Sequence, residues 1–347
     1  MSSPPAALLS RPPLWRLVLA FAAVYVIWGS TYLAIRFAIE TVPPLFMAGT
    51  RYLIAGGILY AWARGRGEAP PRRVHLKAIV IIGGALLLLG NGGVVVAEQW
   101  VASGATALLV ASEPFWVILF NALRRGGERP TPGMVAGLLL GFAGVFFLVS
   151  PFREGVGIDL RGAVLVFLAA AAWAAGSLYA QRARLPDSPQ VSTASQMLAG
   201  GALLLAASGA AGEWGRVELA AVSGRSAGAY VYLIVFGSLV AFSAYAWLVR
   251  VAHPASVSTY AFVNPMVAVF LGWLLAGEEV TGRTFAAGGL ILAGVGLITA
   301  AGAARAERAR RVLAEAPAPV GAAPPSVAPE VPPVRRAGRW RPRRPAA

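Results

Sequence analysis

The chain reads as an all-α polytopic membrane protein, with ten transmembrane helices in two inverted five-helix repeats. Three observations predict this: a composition too apolar for a water-exposed surface, a series of apolar stretches each long enough to span a bilayer, and an internal echo at an offset of about 150 residues. Of 347 residues, 57% are hydrophobic and 13% charged, where an ordinary soluble domain is about 25% charged. The formal charge is nonetheless +15. Basic residues in an oily chain must first be placed relative to the apolar segments before any acidic partner is inferred from them.

A spanning helix needs about 20 predominantly apolar residues. In the first half such stretches run Leu14–Ile35, Pro44–Trp62, Ala78–Ala97, Gly104–Leu123 and Gly133–Val149. In the second they run Arg161–Tyr179, Gln190–Gly209, Tyr230–Val249, Ala255–Ala276 and Phe285–Ala301. The first has the outline of a signal peptide, with Arg11 and Arg16 ahead of an apolar core and Ala20-Phe21-Ala22 inside it. Its apolar run continues to Ile35, too long for a signal core, so it is read as an uncleaved helix. Trp15, Trp62, Trp100, Trp247 and Trp273 fall near helix ends, where an interfacial aromatic belt places them.

Lysine and arginine accumulate on the cytoplasmic side of membrane proteins. With a cytoplasmic N-terminus, the inside segments before residue 302 hold 13 basic residues and the outside segments 6. The predicted organisation is a cytoplasmic segment 1–14, a first repeat 15–150, a periplasmic linker 151–160, a second repeat 161–301 and a cytoplasmic tail 302–347. Both termini are then cytoplasmic, in a bacterial inner membrane. The tail is Ala-, Pro- and Arg-rich without apolar periodicity and is expected to be disordered. It holds ten arginines and three glutamates, so the expected partner of the basic loops and tail is the anionic inner leaflet rather than nucleic acid.

The repeat carries the main inference. Gly29-Ser30-Thr31-Tyr32 answers Gly176-Ser177-Leu178-Tyr179; Pro114 answers Pro265; Gly127-Glu128 with Thr131 answers Gly277-Glu278 with Thr281; Ala143-Gly144-Val145 answers Ala293-Gly294-Val295. An odd number of helices per half requires the second copy to sit upside down. Inverted repeats characterise alternating-access transporters, whose substrate binds between the repeats near the bilayer midplane.

Charges inside a membrane are costly and mark function or pairing. Arg51 and Glu113 are the two expected deep in the apolar stretches, where the halves align them with Gln196 and Asn264. They are read as an ion pair, either structural or involved in substrate or proton binding; Glu98 is the other candidate for proton coupling. A second constellation is aromatic and amide: Trp28 and Tyr32 one turn apart, Asn91, Trp173 with Ser177 and Tyr179, and Ser256, Tyr260 and Asn264 at i, i+4 spacing. Such residues line a cavity or join helices, and rings with amides can hold an amphipathic solute without a fixed charge. Trp28, Tyr32, Asn91, Glu113, Trp173, Tyr179, Tyr260 and Asn264 are therefore the expected substrate-binding residues. Pro114 and Pro265 interrupt helices and are read as hinges or as static kinks. Gly133, Gly137 and Gly141, with Gly289 and Ala293, are read as close-packing faces.

Enzyme chemistry lacks its parts. There is no cysteine; Asp159, Asp187, His75 and His253 lie in loops or at the cytoplasmic surface, no phosphate-binding loop occurs, and carboxylates and histidines do not cluster as metal ligands. No cofactor or metal is expected.

With these residues in hand, the chain resembles the drug/metabolite transporter superfamily, specifically its EamA type with two five-helix repeats. The matching stretches are Trp28-Gly29-Ser30-Thr31-Tyr32 with Arg36, Arg51-Tyr52-Leu53, Gly90-Asn91-Gly92 through Ala97-Glu98, Ser103-Gly104, Gly127-Glu128, Gly176-Ser177-Leu178-Tyr179, Tyr260 through Pro265, and Gly277-Glu278. The Asn91–Glu98 and Tyr260–Pro265 segments are most similar to YedA-type exporters. The chain departs from that pattern at Glu113, where those sequences commonly carry an apolar residue and other EamA proteins a carboxylate. The resemblance implies an exporter of small metabolites with a cavity between the repeats. Amino acids or similar amphipathic solutes are the expected substrates, and fused repeats suit a functional monomer while leaving a homodimer open. A non-transporting scaffold or lipid-handling protein is the rival reading.

Overall fold

The computed structural model describes residues 13–124, 129–149, 158–252 and 259–315. They are helical in successive segments: α1 Leu14–Ala38, α2 Pro44–Gly65, α3 Arg73–Ala97, α4 Ser103–Leu123, α5 Pro132–Val149, α6 Leu160–Ala180, α7 Pro189–Ala210, α8 Gly224–Val251, α9 Tyr260–Ala276 and α10 Gly282–Glu315. Among the described residues seven segments are long and apolar enough to cross a membrane: α1, α3, α4, α6, α7, α8 and α10. α5 and α9 are apolar but shorter, and α2 is long but diluted by Arg51, Tyr52, Tyr60 and Arg64.

Local chemistry accounts for the helix starts. Pro44 and Pro189 occupy first-turn positions, where a missing N–H costs nothing. Asp159 Oδ1 accepts from Arg161 N at 2.8 Å and Ser223 Oγ from Ser226 N at 3.1 Å, capping α6 and α8. Around the bundle, Leu139, Phe146, Leu168, Met266 and Phe285 are all more than half exposed, the surface that a hydrocarbon solvent would cover.

The packing is symmetric between the halves. α2 lies along α7, α4 along α9 and α5 beside α10, while α1 packs on α8 and α9 just as α6 packs on α3 and α4. Exchanging the halves maps this pattern onto itself. Small residues set the approach: a Cβ added at Gly201 of α7 would meet Gly49 O of α2 at 3.0 Å, and one at Gly137 of α5 would meet Gly294 O of α10 at 2.6 Å. The close-packing role expected for the α5 glycines is what Gly137 and Gly141 perform, the latter against the Phe115 ring; Gly289 faces open space.

Three expectations need correction. The chain does not lose order at Gly302: α10 continues to Glu315, because Ala, Arg, Glu and Leu are strong helix formers whatever their apolar period, and Glu307 pairs with Arg311 at 3.1 Å across one turn. The described residues through Arg305 belong to the bundle and Ala306–Glu315 fall in a separate unit. Pro265 does not interrupt its helix, since α9 runs unbroken from Tyr260 to Ala276. There Asn264 Nδ2, oriented to satisfy both carbonyls, donates to Tyr260 O and Tyr25 O at 3.2 Å and braces the turn. Pro114, by contrast, stands just after a true break, in which Ala111 and Ser112 separate Ser103–Val110 from Glu113–Leu123. The third correction concerns Arg51 and Glu113 and is given with the site. The expectations for residues 1–12, Gly127-Glu128, His253 and Ser256, and most of the 151–160 linker and the basic tail, lie outside the described residues.

Candidate functional site

The site is built on three π-helical stretches. Ala23–Ile27 in α1, Gly84–Asn91 in α3 and Leu233–Val240 in α8 each widen the helix by one residue per turn, a distortion concentrated at functional positions. Two tryptophans pack on glycines of such stretches in partner helices. Trp28 Nε1 donates to Gly237 O at 3.3 Å, and Trp173 covers Gly90, where an added Cβ would meet its ring at 3.0 Å. α1 and α6, and α8 and α3, are the corresponding helices of the two halves, so Trp28 and Trp173 make related contacts.

Trp28 is the centre of an aromatic cluster. Its ring lies 5.5 Å from Phe242, 5.1 Å from Tyr245 and 5.4 Å from Tyr260, the first and last edge-on, which is the favoured geometry for aromatic pairs. Glu113, at the first turn of the second piece of α4, is the charged neighbour of Tyr32, Tyr245 and Tyr260. On the Gly237 side of Trp28 stands Arg51, 4% exposed. Its Nε donates to Ser238 Oγ at 2.9 Å, its guanidinium lies over the Tyr52 ring at 4.9 Å, and Nη1 is buried without a partner.

Arg51 and Glu113 therefore do not form the ion pair expected of them. No salt bridge joins them among the described residues, because Arg51 is engaged by α8 and Tyr52 while Glu113 faces tyrosines of α1, α8 and α9. Trp28, Tyr32, Glu113 and Tyr260 do come together. Asn91 stands next to the Gly90–Trp173 contact with Oδ1 buried and unpartnered. Asn264 is 7% exposed and is occupied by backbone carbonyls. Tyr179 is elsewhere: it lines a recess of about 340 Å³ with Phe120, Asn121, Arg124 and Arg182.

A second recess, about 150 Å³, is walled by Leu59, Trp62, Gln190, Phe242 and Trp247. Phe242 joins it to Trp28, and the ring of Phe120 of the first recess lies tilted against Trp116 at 5.6 Å. Both recesses open at the end of the bundle carrying Trp62, Arg124 and Arg182. The opposite end is laced across the halves. Glu213 after α7 accepts from Phe46 N at 2.8 Å and Leu45 N at 3.3 Å, Glu278 after α9 accepts from Ser103 N and Gly104 N, and Ser226 Oγ donates to Phe37 O at 2.7 Å. Arg225 pairs with Glu40 at 3.5 Å.

Sequence reasoning missed Tyr245, Trp116, Ser238 and Glu213. Tyr245 and Trp116 sit in strongly apolar runs that look like core, and Glu213 looks like a loop charge. Of the two clasp carboxylates, Glu278 alone carried a signal, in the repeated Gly-Glu pair. Among the described residues no group of three or more His, Cys, Asp or Glu could hold a metal ion.

Comparison with known proteins gives this geometry its family. The EamA-like transporter family matches residues 15–150 and again 160–300, one copy per half. The chain is 41% identical over 283 residues to the uncharacterised inner membrane transporter YedA of Escherichia coli (strain K12), covering 81% of this chain and 89% of that one. It is 25% identical to the uncharacterised transporter YoaV of Bacillus subtilis (strain 168), covering 77% and 90%. A crystal structure 20% identical superposes with a TM-score of 0.55 over 82% of this chain and 97% of that one, a likeness of fold. With two copies of the family domain and several apolar helices around one bundle, the chain belongs to the EamA-like transporter family and is a non-enzymatic multi-pass protein of the bacterial inner membrane.

Proposed function

We propose that the protein is a secondary transporter that exports amino acids or similar small amphipathic metabolites by alternating access between two inverted repeats. The observation that carries this reading is the separation of Arg51 and Glu113 on either side of the Trp28 cluster. A buried cation with a free Nη1 and a carboxylate among tyrosines suit the two ends of a zwitterion. Carboxylates are well matched by guanidinium, and an ammonium group by carboxylate and aromatic faces together. The apolar body would replace the contacts that Trp28 now makes with Phe242, Tyr245 and Tyr260.

Five helices per half, ten spans in all, oppose the two copies in the membrane. A packing pattern unchanged by exchange of the halves supports that arrangement. Recesses at one end and lacing at the other fit one of the two access states of such a cycle. The recessed end is the cytoplasmic one in the topology with both termini inside, and its exposed Arg124 and Arg182 suit an anionic leaflet. The break at Ala111–Ser112, with Pro114 below it, is the hinge of this reading.

Proteoliposomes loaded with single amino acids test it. Arg51→Gln and Glu113→Gln, each recovered as folded protein, are expected to lose about tenfold or more of the flux of a transported zwitterion, the worth of one charge-assisted contact. Wild-type flux in both variants for every transported solute would overturn the assignment.

A further inference from the structure

The laced end holds a carboxyl group that none of these contacts uses. Glu98, immediately after α3, is 1% exposed, and neither of its oxygens has a hydrogen-bond partner among the described residues. The charged groups facing it are Glu278 from the α9–α10 turn and Arg36 from α1, and the titratable Tyr32 faces it from α1 as well. Both nearby cationic and N–H partners are already committed to Glu278. Ser103 N donates to its Oε1 at 2.7 Å, Gly104 N to its Oε2 at 3.0 Å, and Arg36 Nε lies 3.8 Å away. Gly272 of α9 lies directly under this carboxylate, where an added Cβ would collide with it. An ionised Glu98 would thus stand desolvated and unpaired beside a second carboxylate, an arrangement that proteins relieve by protonation.

The clasp that Glu278 makes differs from the one made by Glu213. Glu213 ties α7 to α2, and those helices stay in close contact along their length through Gly49, Gly56 and Gly201. Glu278 ties α9 to Ser103–Val110, the piece of α4 set off by the Ala111–Ser112 break, and reaches Arg36 of α1. One clasp closes the end of an unbroken helix pair; the other closes a short helix piece that packs on α9 through Gly104 and Val269 and ends at the Ala111–Ser112 turn.

We propose that Glu98 is a proton-binding site that controls this end of the bundle: the Glu278 clasp on α4 holds while Glu98 carries a proton, and release of that proton to water frees Ser103–Val110. Two carboxylates then repel in a site that only opening can hydrate. Return of a proton from the same side neutralises Glu98 and lets the clasp reform. The inference gives the proposed transport cycle a coupling site, yet its test needs no substrate.

The natural chain has no cysteine, so Thr106→Cys, at a 0% exposed position one turn below the clasp, is a unique reporter. A membrane-impermeant maleimide is added on the clasp side of vesicles containing T106C. Each labelling rate is divided by that of the same protein unfolded in SDS at the same pH, so that ionisation of the thiol itself cancels; this normalised rate is expected to rise about tenfold or more from acid to alkaline pH in T106C. T106C/E98Q should label slowly at every pH, with Glu98→Met as the second neutral variant, and T106C/E278Q should label fast at every pH. A pH-independent rate in T106C itself, retained pH dependence in either neutral variant, or slow labelling in T106C/E278Q would overturn the proposal. Amino-acid flux in the same vesicles is read separately: flux with a pH-blind Thr106→Cys discards the gate and keeps the transporter.

Discussion

Glu213→Gln isolates one inter-repeat contact and can be worked through in detail. The Glu213 carboxylate is 3% exposed and accepts three hydrogen bonds, from Phe46 N at 2.8 Å, Ser208 Oγ at 2.9 Å and Leu45 N at 3.3 Å. Two of the donors are first-turn amides of α2, which have no intrahelical partner. Glutamine keeps the shape but loses the charge, and its NH₂ cannot accept. Each bond to a charged acceptor is worth about 1 kcal/mol more than a neutral one, and a buried N–H left without an acceptor costs about 1–3 kcal/mol. The expected loss is about 3 kcal/mol, or roughly 6–12 °C in melting temperature by the scaling of large domains. Ser208→Ala removes one donor and leaves both amides satisfied, so it should cost about 1 kcal/mol. Detergent-solubilised protein followed by size-exclusion after heating measures both. A Glu213→Gln protein that melts with the wild type, or a Ser208→Ala protein that melts below Glu213→Gln, would refute the assignment of Glu213 as the α2 cap.

Other outcomes follow from the same geometry. Gly294→Ala, whose Cβ would meet Gly137 O at 2.6 Å, should destabilise by about 1–3 kcal/mol. Gly289→Ala, facing open space on the same helix, should be neutral or stabilising by up to about 1 kcal/mol, so equal melting shifts would contradict the α5–α10 packing. Trp28→Phe preserves the ring contacts but not the bond to Gly237 O, and should retain more flux than Trp28→Ala; the reverse order would remove Trp28 from the substrate site. Pro114→Ala should change the transport rate and Pro265→Ala should not, because only the first stands beside a helix break; equal rates in both would make Pro114 a static feature.

Much of the fold is legible in the residues themselves. Apolar run length is a one-dimensional property, so the helical segments emerge at nearly the expected positions, and an internal echo survives in any sequence that folds as two copies. Local chemistry explains most of what was misplaced. The continuation of α10 past Gly302 depends on helix propensity and an i, i+4 pair, which an apolar-period reading overlooks. At Pro265 the helix runs on, and the neighbouring Asn264 amide reaches Tyr25 O of another helix.

The site divides along the same line. From sequence alone come the membrane class, the two related halves, and the residue types that a solute could meet: Trp28, Tyr32, Glu113 and Tyr260. Which of them meet one another, and which charges remain unpaired, only the tertiary structure decides. Arg51 and Glu113 are apart because α8 supplies Ser238 as partner to the first while the second lies among tyrosines of three helices, and Glu98 is isolated because Glu278 and the first turn of α4 satisfy each other. Those partners lie some 120 to 190 positions away along the chain. Periodicity reports the solvent that a helix faces, whereas a hydrogen bond or its absence depends on which side chain another helix brings within 3 Å.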